Sequence, residues 1–143
     1  MRNNDLHNNI TVKRVISPVS VSDNTAQVGQ EVDGQGYGIV EYVIATGSIA
    51  DADATFTVLL EESASSGTGF SAVADEDLLG TEALAGFQYD DDNECRKLGY
   101  KGTKRYTRLT ITPSGNASAA LLSAVALLGA KRSAETGTEN PPA

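Results

Sequence analysis

The chain has 143 residues, of which 40% are hydrophobic and 21% are charged, and its formal net charge is −8. This length suits one domain with a sizeable core, and the composition excludes wholesale disorder. The acidic balance argues against a general nucleic-acid binder, because such proteins need a dominant basic face.

The first predicted element is a polar, Asn-rich arm over residues 1–9, which has no apolar segment of the signal-peptide kind. Alternation over residues 10–16 then predicts a strand, which Pro18 ends or places at a sheet edge. Its faces are expected to carry Ile10, Val12, Arg14 and Ile16 on one side and Thr11, Lys13 and Val15 on the other. Residues 25–32 predict a short second strand. The glycines of residues 34–38 indicate a turn rather than a phosphate-binding loop, since a β-type run and not a helix follows them.

The strongest strand prediction covers the run YGIVEYVIATG. Val40, Tyr42 and Ile44 are expected on one face, with Ile39, Glu41 and Val43 on the other. The run TFTVLLEE predicts a second long strand whose Phe56, Val58 and Leu60 share a face. A short acidic loop, SIADADA, joins the two runs, so we expect them to form an antiparallel pair.

The chain between residues 63 and 93 is irregular, with a helical turn or two expected within residues 72–86. Residues 94–100 and 104–112 then predict two strands joined by a lysine-framed turn, as in a hairpin.

The segment at residues 117–129 has two interpretations. Leu121, Leu122, Val125 and Leu128 fit a helical stripe, but a strand buried on both faces is also continuously apolar. We favour the strand, because the preceding strands need a partner for their open edge. Residues 117–130 are too few to span a bilayer, so no membrane association is expected.

These elements predict seven or eight strands with turns between them and no βαβ rhythm. The expected fold class is therefore all-β, an antiparallel β-sandwich or jelly roll with polar terminal arms. The expected organisation is an arm at residues 1–9, a sandwich domain at residues 10–130 and a flexible polar tail at residues 131–143.

Catalysis has little support in the sequence. The single histidine, His7, lies in the arm, whereas nucleophilic catalysis needs an imidazole held by a second residue in a rigid site. Asp51 with Asp53, and the acidic runs at residues 75–77 and 90–92, lie in loops that solvate them alike, which does not suit an acid–base pair. We expect no enzyme activity.

Metal and cofactor sites have equally little support. Cys95 is the only cysteine, so it cannot form an internal disulfide or a thiolate cage, and we expect a small, partly buried strand residue. Acidic loops at one end of a sandwich could supply oxygens to Ca²⁺, but DDDNE lacks the spacing and the glycine of an EF-hand loop. We expect neither metal nor cofactor.

The charges are segregated along the chain. Residues 75–94 hold eight of the nineteen acidic residues, and residues 96–108 hold six of the eleven basic ones. Such segregation can pair surfaces within one domain or between identical neighbours, or it can mark an ordinary solvated hairpin. The candidate protein-interface residues are Arg2, His7, Arg96, Lys97, Lys101, Lys104 and Arg105.

Four phrases carry a family resemblance: NNITVKRVISPVSVSDNTAQVGQ, VIATGSIADADATFTVLLEE, DLLGTEALAGF and LGYKGTKRYTRLTITP. Together they resemble small proteins encoded in tailed bacteriophages and prophages, often near the head genes, and the resemblance covers most of residues 8–130. It implies a virion structural protein, foremost a capsid decoration (cement) protein. It implies no functional site residues.

A decoration protein is made in the bacterial cytoplasm and binds the outer capsid surface. The expected partners are the major capsid protein and the chain itself, as a homo-oligomer with a trimer as first expectation, and not nucleic acid. Two alternatives stay open: a head-spike base or tail component, and a carbohydrate-binding jelly-roll module. For the second, sugar stacking would fall to Tyr37, Tyr42, Tyr89, Tyr100 and Tyr106.

Overall fold

The computed structural model describes residues 5–131, and residues 1–4 and 132–143 lie outside this description. The described chain contains eleven β-strands, one short α-helix and two 3₁₀ turns, at His7–Asn9 and Asp75–Asp77. The elements are β1 Ile10–Val21, β2 Gln27–Val28, β3 Val32–Asp33, β4 Tyr37–Ile49, β5 Thr55–Ser63, β6 Ser71–Ala72, β7 Leu78–Leu79, α1 Glu82–Ala85, β8 Phe87–Gln88, β9 Cys95–Tyr100, β10 Tyr106–Ser114 and β11 Ala120–Lys131.

The strands form two sheets. The first sheet has the order β1-β11-β4-β9-β7, and the second has the order β2-β10-β5-β6, with β3 also on β10 and β8 also on β5. Every pairing within these sheets is antiparallel. The predicted all-β sandwich is confirmed. The expected helical turns within residues 72–86 are also present, as Asp75–Asp77 and α1.

The ambiguous segment is a strand. β11 lies between β1 and β4 in the first sheet and pairs with both along its length. Its inward residues are small or aliphatic and buried: Ala120, Leu122, Ala124, Ala126 and Leu128. The need of two long strands for a partner therefore outweighs the helix preference of alanine.

Two predicted hairpins are wrong. β4 belongs to the first sheet and β5 to the second, and β9 and β10 are divided in the same way. Each connection therefore crosses between the sheets. After β4 the chain turns at residues 50–54, where Ala54 donates to the Asp51 carbonyl at 3.1 Å and is itself fully buried. Period-two alternation predicts which face of a strand is buried but not which strand is its neighbour.

The predicted faces of β1 are wrong after Arg14. The pairing with β11 shifts between Arg14 and Ile16, so Val15 and Ile16 are both buried. The strand also continues through Pro18 to Val21, as an edge strand can. The predicted strand at residues 25–32 is divided into β2 and β3.

The core lies between the sheets. Tyr42 of β4 is fully buried, and its hydroxyl meets the Thr107 hydroxyl of β10 at 2.6 Å. Phe56 and Phe87 stack with ring centroids 4.7 Å apart in the second sheet. The predicted alternation of β4 and β5 is confirmed, because Val40, Tyr42 and Ile44 and also Phe56, Val58 and Leu60 all point into this core.

Candidate functional site

The outer face of the first sheet is largely apolar. Directly paired residues of an antiparallel sheet share a face, so the pairings identify its members. We define the apolar face by its nine hydrophobic side chains: Ile10, Val12, Ile39, Val43, Ala45, Leu79, Leu121, Val125 and Leu127. Val12, Ile39, Leu79 and Leu121 are 56%, 52%, 52% and 43% exposed.

The apolar face is organised in rows that run across the strands. The longest row crosses all five strands and consists of Val12, Leu127, Glu41, Gly99 and Leu79. The next row toward the other end of the sheet consists of Arg14, Val125, Val43 and Lys97. A strand spacing of about 4.8 Å and a rise of about 3.4 Å per residue give the face an area of roughly 500 Å². That is the size of the largest apolar patch on a typical monomer, which is often functional.

Two glycines allow side chains to lie flat on this face. A Cβ on Gly129 would lie 3.7 Å from Ile39 and 3.8 Å from Ile10, so these two isoleucines flank the bare backbone. A Cβ on Gly99 would lie 2.7 Å from Glu41 Oε1 and 2.9 Å from Leu79 Cβ. The Glu41 carboxylate therefore lies over Gly99.

Three charged residues lie among the apolar ones. Glu41 and Lys97 are on neighbouring strands in adjacent rows, and Arg14 is on the edge strand β1. Burial raises the pKa of the Glu41 carboxyl above its ordinary value, and the positive charge of Lys97 opposes that rise. Glu41 is thus partly desolvated without being fully neutralised by its neighbour.

The predicted interface residues do not form one site. Arg96 is paired with Asp91 at 3.0 Å and with Glu94, beside β8. Arg105 forms a two-pronged pair with Asp33, at 2.9 and 2.8 Å. These hydrogen bonds lower the pKa of Asp33 and raise those of both arginines. Both arginines therefore serve contacts inside the domain.

Hydrogen bonds from backbone amides fix the position of the lysine-framed turn. The Lys101 amide donates to the Asp77 carbonyl at 2.8 Å, and the Lys104 amide donates to the Tyr100 hydroxyl at 2.9 Å. Tyr100 in turn donates to Glu62 at 2.6 Å. The side chains of Lys101 and Lys104 are exposed, at the opposite end of β9 from Arg96.

The other predicted residues are dispersed. Lys97 is on the apolar face, His7 is exposed in the first 3₁₀ turn, and Arg2 lies outside the described residues. Cys95 is exposed at the first position of β9, so the expectation of partial burial is wrong. Its pairing partner is Ala45, so it borders the apolar face.

A cleft of about 480 Å³ lies at the edge of the second sheet, between β5, α1 and β8. Its polar lining consists of Thr57, Glu82, Gln88 and Asp91. Glu82 Oε1 accepts from the Leu60 amide at 2.7 Å. The stacked rings beneath the cleft, Phe56 and Phe87, are only 2% and 5% exposed. The cleft therefore presents hydrogen-bonding groups rather than an aromatic surface.

Asp51 stabilises the turn after β4 and also binds the loop before β11. Asp51 accepts from the amides of Asp53 at 2.9 Å and Ala117 at 2.8 Å, and these bonds lower its pKa. Within residues 5–131, no three His, Cys, Asp or Glu side chains are grouped in a metal-binding arrangement. In the same part of the chain, no helix is long and apolar enough to cross a membrane.

The tyrosines do not form a stacking platform. Tyr42 and Tyr100 are 0% and 6% exposed and belong to the core. Tyr89 is 44% exposed and lies in the turn after β8.

The outer face of the second sheet is more polar than the apolar face. On it, Arg108 binds Glu61 at 2.8 Å and lies 4.2 Å above the Phe70 ring.

The apolar face was missed by reasoning from charged residues. Its signal is nevertheless present in the sequence, since β4 and β11 are apolar at both parities, over YVIA and ALLSAVALL. A strand that is apolar on both sides must be covered on both sides. The sandwich covers only the inner side of β4 and β11.

No family model matches the chain, and no curated protein matches it. Among solved structures, it is similar to the CBM22-1–GH10 modules of Clostridium thermocellum endo-1,4-β-D-xylanase 10B complexed with xylohexaose, at 14% identity and a TM-score of 0.46. That match covers 93% of this chain and 27% of the xylanase chain. A second is Eiger TNF from S. frugiperda, at 7% identity and a TM-score of 0.34, covering 92% and 99% of the two chains.

Proposed function

We propose that the chain is a structural protein of a tailed-phage virion that binds the outside of the capsid and stabilises it. The observation that carries the proposal is the apolar face, which leaves large aliphatic side chains about half exposed on a rigid sheet. A face of this kind suits docking against protein, because burying aliphatic surface stabilises a complex by about 25 cal/mol per Å² before the costs of association.

Further support comes from the structural contacts that described carboxylates form and from the position of His7. Asp51 stabilises a turn, Asp91 is ion-paired with Arg96, and His7 is exposed in the first 3₁₀ turn. A decoration protein needs a rigid domain and an adhesive surface rather than a reactive site. The family resemblance of residues 8–130 points in the same direction.

The test is quantitative mass spectrometry of purified virions. We expect a ratio of this chain to the major capsid protein near one or a simple fraction of it. A few copies per particle would assign the chain instead to a spike base or the tail. Its complete absence from particles would overturn the proposal.

Stabilisation is tested separately, by heating particles that carry or lack the protein and following genome release. Particles without the protein are expected to release their genome at a lower temperature. Adding back purified wild-type protein should restore the difference. Equal release temperatures would contradict the stabilising role.

A second candidate is carbohydrate binding in the cleft of the second sheet. The observation that favours it is the convergence of Glu82, Gln88 and Asp91 on one concave surface, since sugar hydroxyls require both donors and acceptors. The buried Phe56 and Phe87 rings leave this cleft without a stacking surface. We expect Gln88→Ala to abolish any glycan binding, and a glycan array on which wild-type protein binds nothing would overturn this candidate.

A further inference from the structure

We infer that the apolar face pairs with the same face of a second copy of this chain, across a two-fold axis perpendicular to the strands. The inference rests on the proposed function only in taking this face to be a protein-docking face. It adds the occupant and the geometry. The argument begins with the two charged residues at the centre of the face, Glu41 and Lys97.

The charges are arranged in a self-complementary way. Lys97 is in one row, and Gly99, two residues further along β9, is in the next. Gly99 has no side chain, and the Glu41 carboxylate lies over it, 2.7 Å from the position that a Cβ would occupy. On this face, the Lys97 ammonium therefore lies beside a shallow depression at Gly99, and the Glu41 carboxylate forms the bottom of that depression.

Symmetry places the cation over that site. When two identical sheets pack face to face, their two-fold axis lies in the plane between them. An axis perpendicular to the strands and midway between these two rows exchanges the rows. Lys97 then faces Gly99 of the second copy, where the Glu41 carboxylate of that copy lies. The contact occurs twice, once for each copy.

The same axis matches apolar residues by size. It places Leu127 opposite Val125 of the second copy on β11. On β4, it places the half-exposed Ile39 opposite Ala45, a small residue. Large side chains opposite small ones allow two sheets to approach to the usual separation of about 10 Å.

The local charge pattern of the face favours a second copy over an unrelated partner. The whole chain has a net charge of −8, so two copies repel each other except where a local match offsets the repulsion. The face provides such a match, with Lys97 of each copy against Glu41 of the other. About 500 Å² on each copy gives roughly 1,000 Å² in total, which is at the weak end of specific interfaces. The expected product is a reversible dimer of folded monomers.

The experiment is sedimentation equilibrium of the full-length protein, from about 1 µM to about 0.1 mM, the range over which a weak interface forms. Wild-type protein is expected to pass from monomer to dimer. Ile39→Ser should weaken dimerisation by about tenfold or more, because it removes the large side chain that faces Ala45 of the second copy. Val28→Ser is the matched control, since Val28 is 58% exposed on the second sheet, and it should leave dimerisation unchanged.

A charge exchange tests the geometry itself. Glu41→Lys and Lys97→Glu should each be monomeric when alone, because each copy then carries like charges at the centre of the face. Mixing the two variants should restore a dimer, since one face is then positive and the other negative. An ion pair between positions 41 and 97 of one chain cannot produce this rescue, because each variant chain carries like charges at both positions. Far-UV circular dichroism of each variant establishes that it is folded, and Val12→Ser replaces Ile39→Ser if that variant unfolds.

Three results would overturn the inference: monomeric wild-type protein at the highest concentration, a trimer, or a mixture that associates no better than its components. A monomer that still occupies virions in many copies would overturn the pairing and leave the proposed function intact. A dimer that is absent from virions would overturn the proposed function and leave the pairing intact.

Discussion

The hydroxyl groups of Tyr42 and Thr107 form a polar contact inside the core. It joins β4 of the first sheet to β10 of the second, and both residues are buried, at 0% and 2% exposure. Burial raises the pKa of Tyr42 above its usual value of 10.0, so the phenol stays protonated at ordinary pH. One hydroxyl pair therefore fixes the alignment of the two sheets at this point.

Tyr42→Phe is expected to lower the free energy of unfolding by about 1–2 kcal/mol, because it leaves the Thr107 hydroxyl buried without its partner. Chemical denaturation measures the change. Adding Thr107→Val should recover part of the loss, since both polar groups are then gone. The control is Tyr37→Phe, whose hydroxyl meets Thr11 at 3.1 Å in a less buried place and should matter less. Equal losses at both tyrosines would contradict the assignment.

Glu41 gives a prediction about pH. Its pKa is raised, so the folded monomer holds this proton more tightly than the unfolded chain does. The protonated form therefore contributes stability that is complete below the ordinary value of 4.5 and is lost as the pH rises through the raised value. The charged group facing Glu41 is Lys97, whose effect is the smaller one.

Glu41→Gln should accordingly make the dilute monomer more stable than wild type at neutral pH, with the difference disappearing in acid. The same variant should weaken dimerisation, because it removes the carboxylate that meets Lys97 of the second copy. Thermal unfolding across a pH series measures the first effect and sedimentation the second. Glu76→Gln, an exposed change in the second 3₁₀ turn, is the control. A variant less stable than wild type at neutral pH would contradict the burial of Glu41.

At the scale of elements, Gly29 determines how the N-terminal part of the chain meets the core. It lies between β2 and β3, and its amide donates to the Leu109 carbonyl at 2.7 Å. A Cβ at this position would lie 2.6 Å from Val15 and 2.7 Å from the Leu109 carbonyl oxygen. The bulge in β1 that turns Val15 inward therefore requires a residue without a side chain opposite it.

Gly29→Ala should lower the free energy of unfolding by roughly 1–3 kcal/mol, as overpacking of a core does. Urea denaturation measures the change, and Gln30→Ala next to it is the control, because its side chain is exposed. Val15→Ala combined with Gly29→Ala should cost less than the sum of the two single changes. Strict additivity would show that Val15 and Gly29 do not compete for the same space.

Much of the element structure could be predicted from local pattern. The alternation of β4 and β5, the edge position of β1 and the strand at β11 all follow from side-chain periodicity and the need for partners. The bulge after Arg14 and the assignment of β4 and β5 to different sheets could not be predicted from local pattern, because both depend on packing between the sheets. The acidic partner of Arg105 is 72 residues distant along the chain, so its internal role had no local signal.

At the scale of the whole molecule, the candidate site is a property of the fold rather than of a motif. The apolar face collects residues from four strands, and they are scattered between Ile10 and Leu127. Of the candidate interface residues that the structure describes, only Lys97 lies on this face. The order of strands in the first sheet was needed before the aliphatic residues could be recognised as one surface.

That strand order has a consequence for the synthesis of the protein. Within residues 5–131, β11 is the last strand to be made, yet it lies between β1, the first, and β4. Until the ribosome has produced residues 120–131, β1 and β4 each carry an open edge and the core lacks its inner aliphatic row. We therefore expect the open edges of β1 and β4 to be able to pair with neighbouring chains on a polysome until β11 is complete.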